Sequence, residues 1–502
     1  MDSLYRFCCL SGRVISSFFF QKISWLLIIL VFFNWNCTSP KEESVNPNLV
    51  IIFPDEMRGQ AMGFMGEEPV LTPNLDDLAN ESLVFTNAAS NYPLCSPFRA
   101  MFMSGKYAHS NGVTNNCNSS RPDVELDQND VCWSDVLNEK GYSLGYIGKW
   151  HLDAPHPPFV DTYNNKGDKA WNEWCPPERR HGFDFWYAYG TYDRHMNPIY
   201  WDTHAGRDSF HYVDQWGPTH EADMAIKYIK NTNGQFRQKD KPFALVVSMN
   251  PPHTPYNQVP QKYLDMYADL DIDKVSDRPN LPKENESIYN HFRKNIVPYY
   301  AMITGVDEQV GRILDAIEEE GIAKNTIFLF TADHGCCLGI HGHKTKNNPY
   351  EESMRIPFII RWPGKIKPGE EDLLLSVPDY YPTLLDLLGY KNEIPVGIEG
   401  LSYAPVFLGD EIDKRPTSQL YLQIPYGNED MGIRGVRTSR YTFTWNKPVS
   451  GGEELVLFDN MNDPYQLQNI ANSNPESVKI LKSELKMWLE KTNDPWIKHC
   501  NE

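Results

Sequence analysis

At 502 residues the chain is too long for one small core, so two domains are expected. Hydrophobic residues at 41% and charged residues at 23% are those of an ordinary globular protein. The formal net charge of −19 leaves no basic footprint and excludes a nucleic-acid partner, but it does not exclude a local cationic pocket inside an acidic shell.

Near the start, Arg6, Arg13 and Lys22 precede the apolar run 25–33, which is too short for a spanning helix and suits the hydrophobic region of a signal peptide. Cys37 follows at once, then a polar stretch, as at a bacterial lipoprotein cleavage site. Trp35 and Asn36 before it depart from the usual small residues. Two endings stay open: a lipid anchor through Cys37, or a plain signal peptide with an incidental Cys. Either way residues 1–37 predict export to the periplasm or cell surface, with membrane contact only through such an anchor.

Residues 48–53 form a continuous apolar run closed by Pro54-Asp55, the pattern of a fully buried strand in a parallel sheet. Residues 83–85, 143–147, 243–248, 326–330 and 357–360 read alike. Ile303, Val306, Val310, Ile313, Leu314 and Ile317 recur at helical spacing between two of them. Strands alternating with helices predict an α/β domain over 47–400. From residue 401 the runs 420–423, 435–437, 441–445 and 455–458 are short or alternating, and 476–489 is amphipathic. A small antiparallel sheet with a closing helix is expected over 401–495.

Ionisable residues gather just after the predicted strands: Asp55-Glu56, Lys149 and His151, His253, and Asp333-His334. Open α/β sheets bind ligands beyond the carboxyl ends of their strands, so these four places predict one composite site. The segment 171–216 is dense in Trp and Tyr and also holds Arg194 and His195. It reads as a long aromatic loop, whose rings either pack the segment or stack on sugars. His181, His195, His204, His211 and His220 are expected to be hydrogen-bonded structural residues. Beyond the export segment lie Cys95, Cys117, Cys132, Cys175, Cys336, Cys337 and Cys500, an odd number with no zinc spacing. If Cys95 is converted, six remain and their pairing is open.

Cys95-Ser-Pro-Phe-Arg99 resembles the sulfatase signature Cys-x-Pro-x-Arg. Phe98 and Ser104 depart from the residues common there but leave Cys, Pro and Arg intact. Gly148-Lys-Trp-His-Leu152 resembles the second sulfatase signature. Asn250-Pro-Pro-His-Thr-Pro-Tyr256 is similar to the family's His loop, Thr331-Ala-Asp-His-Gly335 to its metal-binding turn, and the segment 346–357 to its second Lys segment. With a similar tail strand at 457–467, these motifs run in the family's order over 48–472. By this resemblance the chain is identified as a formylglycine-dependent sulfatase of the alkaline phosphatase superfamily. That implies a large mixed, mostly parallel sheet flanked by helices, plus the small C-terminal sheet and helix.

The resemblance implies that a maturation enzyme oxidises Cys95 to formylglycine (3-oxoalanine). Sulfate monoesters are extremely inert, and a Ser nucleophile would leave a stable sulfate ester on the protein. An aldehyde hydrate carries two hydroxyls on one carbon. One attacks sulfur and displaces the alcohol, and the other expels sulfate as the carbonyl re-forms. Arg99, Lys149 and Lys346 are the implied cations for the sulfate oxygens. His151 is the implied base and His253 the implied acid, the latter shared with Lys346 in one version. Asp55, Glu56, Asp333 and His334, with residue 95, are the implied ligands of one divalent cation. Ca²⁺ is expected, with Mg²⁺ and Mn²⁺ as alternatives, and Glu56 is either a ligand or a neighbour of one. The implied substrate is a sulfated carbohydrate, such as an algal polysaccharide (ulvan or carrageenan) or a glycosaminoglycan. Competing readings are a phosphonate or phosphate ester hydrolase of the same superfamily and an inactive glycan-binding relative.

Overall fold

The computed structural model describes residues 46–500, so the export segment with Cys8, Cys9 and Cys37 lies outside the described residues. Ten strands make one sheet: β1 (Asn48–Ile52), β2 (Leu83–Phe85), β3 (Ser143–Lys149), β4 (Phe185–Tyr189), β5 (Ile199–Asp202), β6 (His211–Tyr212), β7 (Phe243–Ser248), β8 (Thr326–Thr331), β9 (Phe358–Arg361) and β10 (Gly369–Glu371). Their order is β10-β2-β9-β8-β1-β7-β3-β4-β5-β6. The centre, β8-β1-β7-β3-β4, is parallel, with Leu49 opposite both Ala244 and Ile327. Every residue of β1, β7 and β8 is buried, which is why these strands are unbroken apolar runs rather than alternating ones. Each fully buried Leu, Ile or Val there stabilises the fold by about 1.5–3 kcal/mol.

Two expectations need correction. Residues 357–360 were expected to run parallel with the rest, but β9 is antiparallel to both β8 and β2. A strand buried on both faces carries the same apolar run whichever way its neighbours point. The aromatic segment 171–216 is also not a loop throughout. Residues Phe185–Tyr189 extend the sheet parallel to β3, and β5 and β6 finish it as an antiparallel edge. Trp186, Tyr187, Tyr189, Tyr192, Tyr200 and Trp201 are buried in that packing, and Tyr212 is exposed.

The long helix Glu286–Glu319 packs against the helices Gly217–Lys230 and Pro73–Asn80. It starts at Asn285, whose side chain accepts a hydrogen bond from the backbone N–H of Ile288, an N-cap. Ile303, Val306, Val310, Ile313 and Ile317 are buried, and Leu314 is partly so. Gly305 lets this helix approach Trp216, since a Cβ there would lie 2.5 Å from the indole.

The second sheet is antiparallel, β11 (Gln419–Gln423), β12 (Gly432–Arg437), β13 (Tyr441–Lys447) and β14 (Glu454–Asp459) in that order. The helix Pro475–Lys491 closes it through Val478, Leu481, Leu485 and Leu489. None of the seven described cysteines is paired. Among the described residues, no helix is long and apolar enough to cross a membrane.

Candidate active site

The sheet delivers the predicted residues to one place. β1 ends into Pro54-Asp55-Glu56, where Asp55 N–H donates to Met249 O at 2.9 Å. Glu56 takes a left-handed φ of 69°, and His151, two residues beyond β3, one of 53°. Such backbone in a non-glycine residue is costly and persists where the surroundings fix it. Gly148 sits at φ 98°, and a Cβ there would lie 2.1 Å from Ser248 O. Only glycine lets β3 pass β7 this closely and present Lys149. Cys95 opens the helix Cys95–Ser104, whose positive N-terminal end favours an anion at that position.

Asp55, Cys95, Asp333 and His334 are all buried, and one donor atom from each lies within 4.8 Å of the others. His334 Nδ1 is 2.9 Å from Gly335 O and so carries the hydrogen. Nε2 is left facing the group, 3.5 Å from Cys95 Sγ, 3.7 Å from Asp55 Oδ1 and 3.6 Å from Asp333 Oδ1. Two carboxylates and an oriented imidazole around position 95 fit a divalent cation. Burial first, then the charge of Asp55, lifts the Asp333 carboxyl to about 7, a strain that a bound cation relieves. Glu56 is not in that group but in a second one with Asp55 and His253, whose donor atoms also lie within 4.8 Å of one another. It is ion-paired to Lys346 Nζ, accepts from Tyr256 OH at 3.4 Å and lies 3.6 Å from His253 Nε2.

The cations are placed differently from one another. Lys346 Nζ is 3.2 Å and Lys149 Nζ 4.0 Å from Cys95 Sγ. Lys149 also donates to Asp55 Oδ2 at 2.7 Å and to Asn250 Oδ1 at 3.1 Å. Burial and Asp55 push the Cys95 thiol up, but these two lysines outweigh them and hold it well below its usual range. Arg99 is engaged elsewhere. Its Nη2 bridges Asp55 and Asp333 at 3.2 and 3.0 Å, and its Nη1 donates to Ser248 Oγ and Lys149 O at 2.7 Å each.

The two histidines differ in charge state. Burial, helped by Lys149 and Arg99, lowers His151, and its Nδ1 is buried without a hydrogen-bond partner. Burial and Lys346 also pull His253 down, but Glu56 and Asp55 more than compensate and raise it to about 9. At neutral pH one is a proton acceptor and the other a proton donor.

Three site neighbours carried no sequence expectation: Ser248, Asn250 and Asp193. The first two are neutral residues at the end of β7. Asn250 lay inside a quoted motif but without a role. Asp193 follows β4 and lies 3.5 Å from His253 Nδ1. Reading β4 as a strand would have flagged it by the strand-end rule. His195 Nε2 lies 2.9 Å from His253 O, a structural contact, and Trp171 stands half-buried beside His151, ring centres 6.5 Å apart.

Comparison with known proteins agrees with this geometry. The family model described as sulfatase matches residues 47–390, and that described as the C-terminal part of N-sulphoglucosamine sulphohydrolase matches 339–494. The chain is 39% identical to the endo-4-O-sulfatase of Bacteroides thetaiotaomicron, over 92% of this chain and 96% of the relative. It is 32% identical to the ulvan-active sulfatase of Formosa agariphila, over 90% and 82%. The solved structure of Bacteroides fragilis yidJ, named provisionally as a sulfatase, superposes with a TM-score of 0.87 at 49% identity, covering 92% of this chain and 99% of that one.

Proposed function

The chain belongs to the sulfatase family, and from that premise we propose that it removes sulfate from a sulfated polysaccharide or oligosaccharide, with residue 95 as nucleophile. The observation that carries this reading is the pair of lysine ammonium groups, Lys346 at 3.2 Å and Lys149 at 4.0 Å, converging on Cys95 at a helix N-terminus. An anion attacked at position 95 would be held there by both. Oxidation of Cys95 to formylglycine supplies, as its hydrate, a nucleophilic hydroxyl and a second hydroxyl that lets sulfate depart. A divalent cation held by Asp55, Asp333 and His334, with Ca²⁺ the expected ion, would supply positive charge at the sulfate oxygens.

The protein's own groups then divide the work. Arg99 fixes Asp55 and Asp333, its Nη atoms being committed to them and to Ser248 and Lys149 O. Lys149 and Lys346 bind and orient the sulfate. His151, neutral, takes the proton of the attacking hydroxyl. His253, cationic, gives its proton to the leaving sugar oxygen. The names of the relatives, a 4-O-sulfatase and an ulvan-active sulfatase, favour carbohydrate sulfates as substrates.

Residues 1–37 fit an export segment that delivers the enzyme to extracellular polysaccharide. The mass of the mature N-terminus separates a lipidated Cys37 from simple cleavage, and an intact Met1 on exported protein contradicts both. The functional test is sulfate release from a panel of defined glycosaminoglycan and algal oligosaccharides, using protein made together with a formylglycine-generating enzyme. Release from one sugar class is expected. No release from fully matured protein, alongside turnover of a phosphonate ester, overturns the reading.

A further inference from the structure

Asp193 has no part in the chemistry above, yet its carboxylate is built into the site. Its Oδ2 accepts from Asn164 Nδ2 at 2.8 Å, and its backbone N–H donates to Asn164 Oδ1 at 3.0 Å. Gln258 Nε2 donates to its carbonyl at 3.0 Å. The residue is thus clamped on three sides. Its remaining oxygen, Oδ1, is sealed from solvent and has no hydrogen-bond partner. It points at His253 Nδ1, 3.5 Å away. A buried carboxylate oxygen left unpaired is costly, and the clamp spends that cost on one neighbour. The same segment grips His253 again through His195, which contacts its carbonyl.

His253 Nδ1 donates to Thr254 O at 2.6 Å, on the side that Asp193 faces. Its Nε2 faces inward, 3.6 Å from Glu56 Oε1. We propose that Asp193 is a positioning residue that holds the His253 ring with Nδ1–H outward and Nε2–H toward the leaving oxygen. A ring turned over would set a C–H against the unpaired Oδ1. In the step itself a hydroxyl oxygen of the residue-95 hydrate forms a bond to sulfur while its proton passes to His151, the bond from sulfur to the leaving oxygen breaks, its electron pair goes to that oxygen, and that oxygen takes the Nε2 proton. The imidazole keeps Nδ1–H, and Asp193 stays ionised throughout. This inference rests on the reading of His253 as proton donor.

The test uses the full chain, matured at residue 95, with Asp193→Ala, Asp193→Asn and His253→Ala. The probes are phenyl sulfates whose leaving groups range from 4-nitrophenol to 4-methoxyphenol. Without oriented proton donation, the poorest leaving group suffers most. Both Asp193 variants are expected to lose roughly 10–10²-fold more rate on 4-methoxyphenyl than on 4-nitrophenyl sulfate, part of the 10²–10⁴ that general acids supply, with KM little changed. Asp193→Asn keeps the shape, but its amide oxygen is claimed by Asn164, so its NH₂ faces Nδ1–H. A crystal structure of that variant should show the His253 ring rotated, a readout that needs no turnover. An unrotated ring, or equal losses across the series, overturns the inference. A steep series for His253→Ala with a wild-type series for Asp193→Ala removes Asp193 alone. A wild-type series for His253→Ala removes the proton-donor reading and this inference with it.

Discussion

Arg437 and Glu351 form a two-pronged ion pair, Nε to Oε1 at 2.6 Å and Nη2 to Oε2 at 2.8 Å, that ties β12 of the small sheet to the short helix Glu351–Met354. Glu351 lies five residues beyond Lys346, so the C-terminal sheet braces the segment that carries a proposed sulfate ligand. The pair is mostly buried, with side chains 5% and 14% exposed. Burial raises the Glu351 carboxyl, but Arg437 holds it below its ordinary range. Arg437→Ala strands that charge and is expected to cost about 3–5 kcal/mol, as broken buried pairs do, and to slow all substrates alike. Urea denaturation and steady-state rates check this. Unchanged stability contradicts it.

How far such relationships were legible in the sequence follows from what each element exposes. β1, β7 and β8 were readable because both their faces are buried and the chain has no reason to alternate. The direction of β9 was not, because that same run is blind to its neighbours. Asp55, Lys149, His253 and Asp333 could be expected together since each ends or follows such a strand. β4 was hidden because a run of four aromatic residues and one Ala looks equally like core and like a sugar platform, and Asp193 was lost with it. Arg437 and Glu351 meet across 86 positions, and charged residues on separate elements carry no mark of their pairing.

Cys95 is expected to be an aldehyde in active protein. The peptide spanning residue 95 should show loss of sulfur by mass spectrometry. Cys95→Ala should abolish turnover, by roughly 10⁴-fold or more on the scale of nucleophile removal in other covalent hydrolases. Cys95→Ser should be inactive unless the host's machinery accepts serine. Full activity with an unmodified thiol would falsify the assignment.

Asp333 is the hub of the proposed metal site, accepting from Arg99 and from the backbone N–H groups of Glu56 and His334. Asp333→Asn keeps the shape and removes the charge. It should lose bound metal and turnover together. Chelation of the unaltered enzyme should do the same, reversibly on adding Ca²⁺. Elemental analysis measures the first effect directly. A variant with wild-type metal content and rate sinks the ligand set.

The last prediction concerns Glu221, buried on the helix Gly217–Lys230 beneath Gly148. Its Oε1 accepts from Tyr200 OH at 3.1 Å and Tyr189 OH at 3.3 Å, while Oε2 is buried without a partner. Burial outweighs the two tyrosine hydrogen bonds and raises the carboxyl to about 8 from an ordinary value of 4.5. The folded protein therefore holds a proton that the unfolded chain has released throughout that interval. Stability falls with rising pH wherever the folded state binds more protons. The contribution of Glu221 is thus intact below pH 4.5 and is lost progressively up to pH 8. Glu221→Gln mimics the protonated acid, keeps an acceptor for both tyrosines and cannot ionise. At pH 5 the two proteins should differ little. By pH 8 the variant should gain on the order of a few kcal/mol relative to the parent, since a proton held over each further pH unit is worth about 1.4 kcal/mol. Urea unfolding of both proteins at intervals from pH 5 to pH 9 measures the difference, which also cancels the titration of every other group. Parallel stability curves would show that Glu221 is already ionised in the folded protein and that burial does not hold its proton.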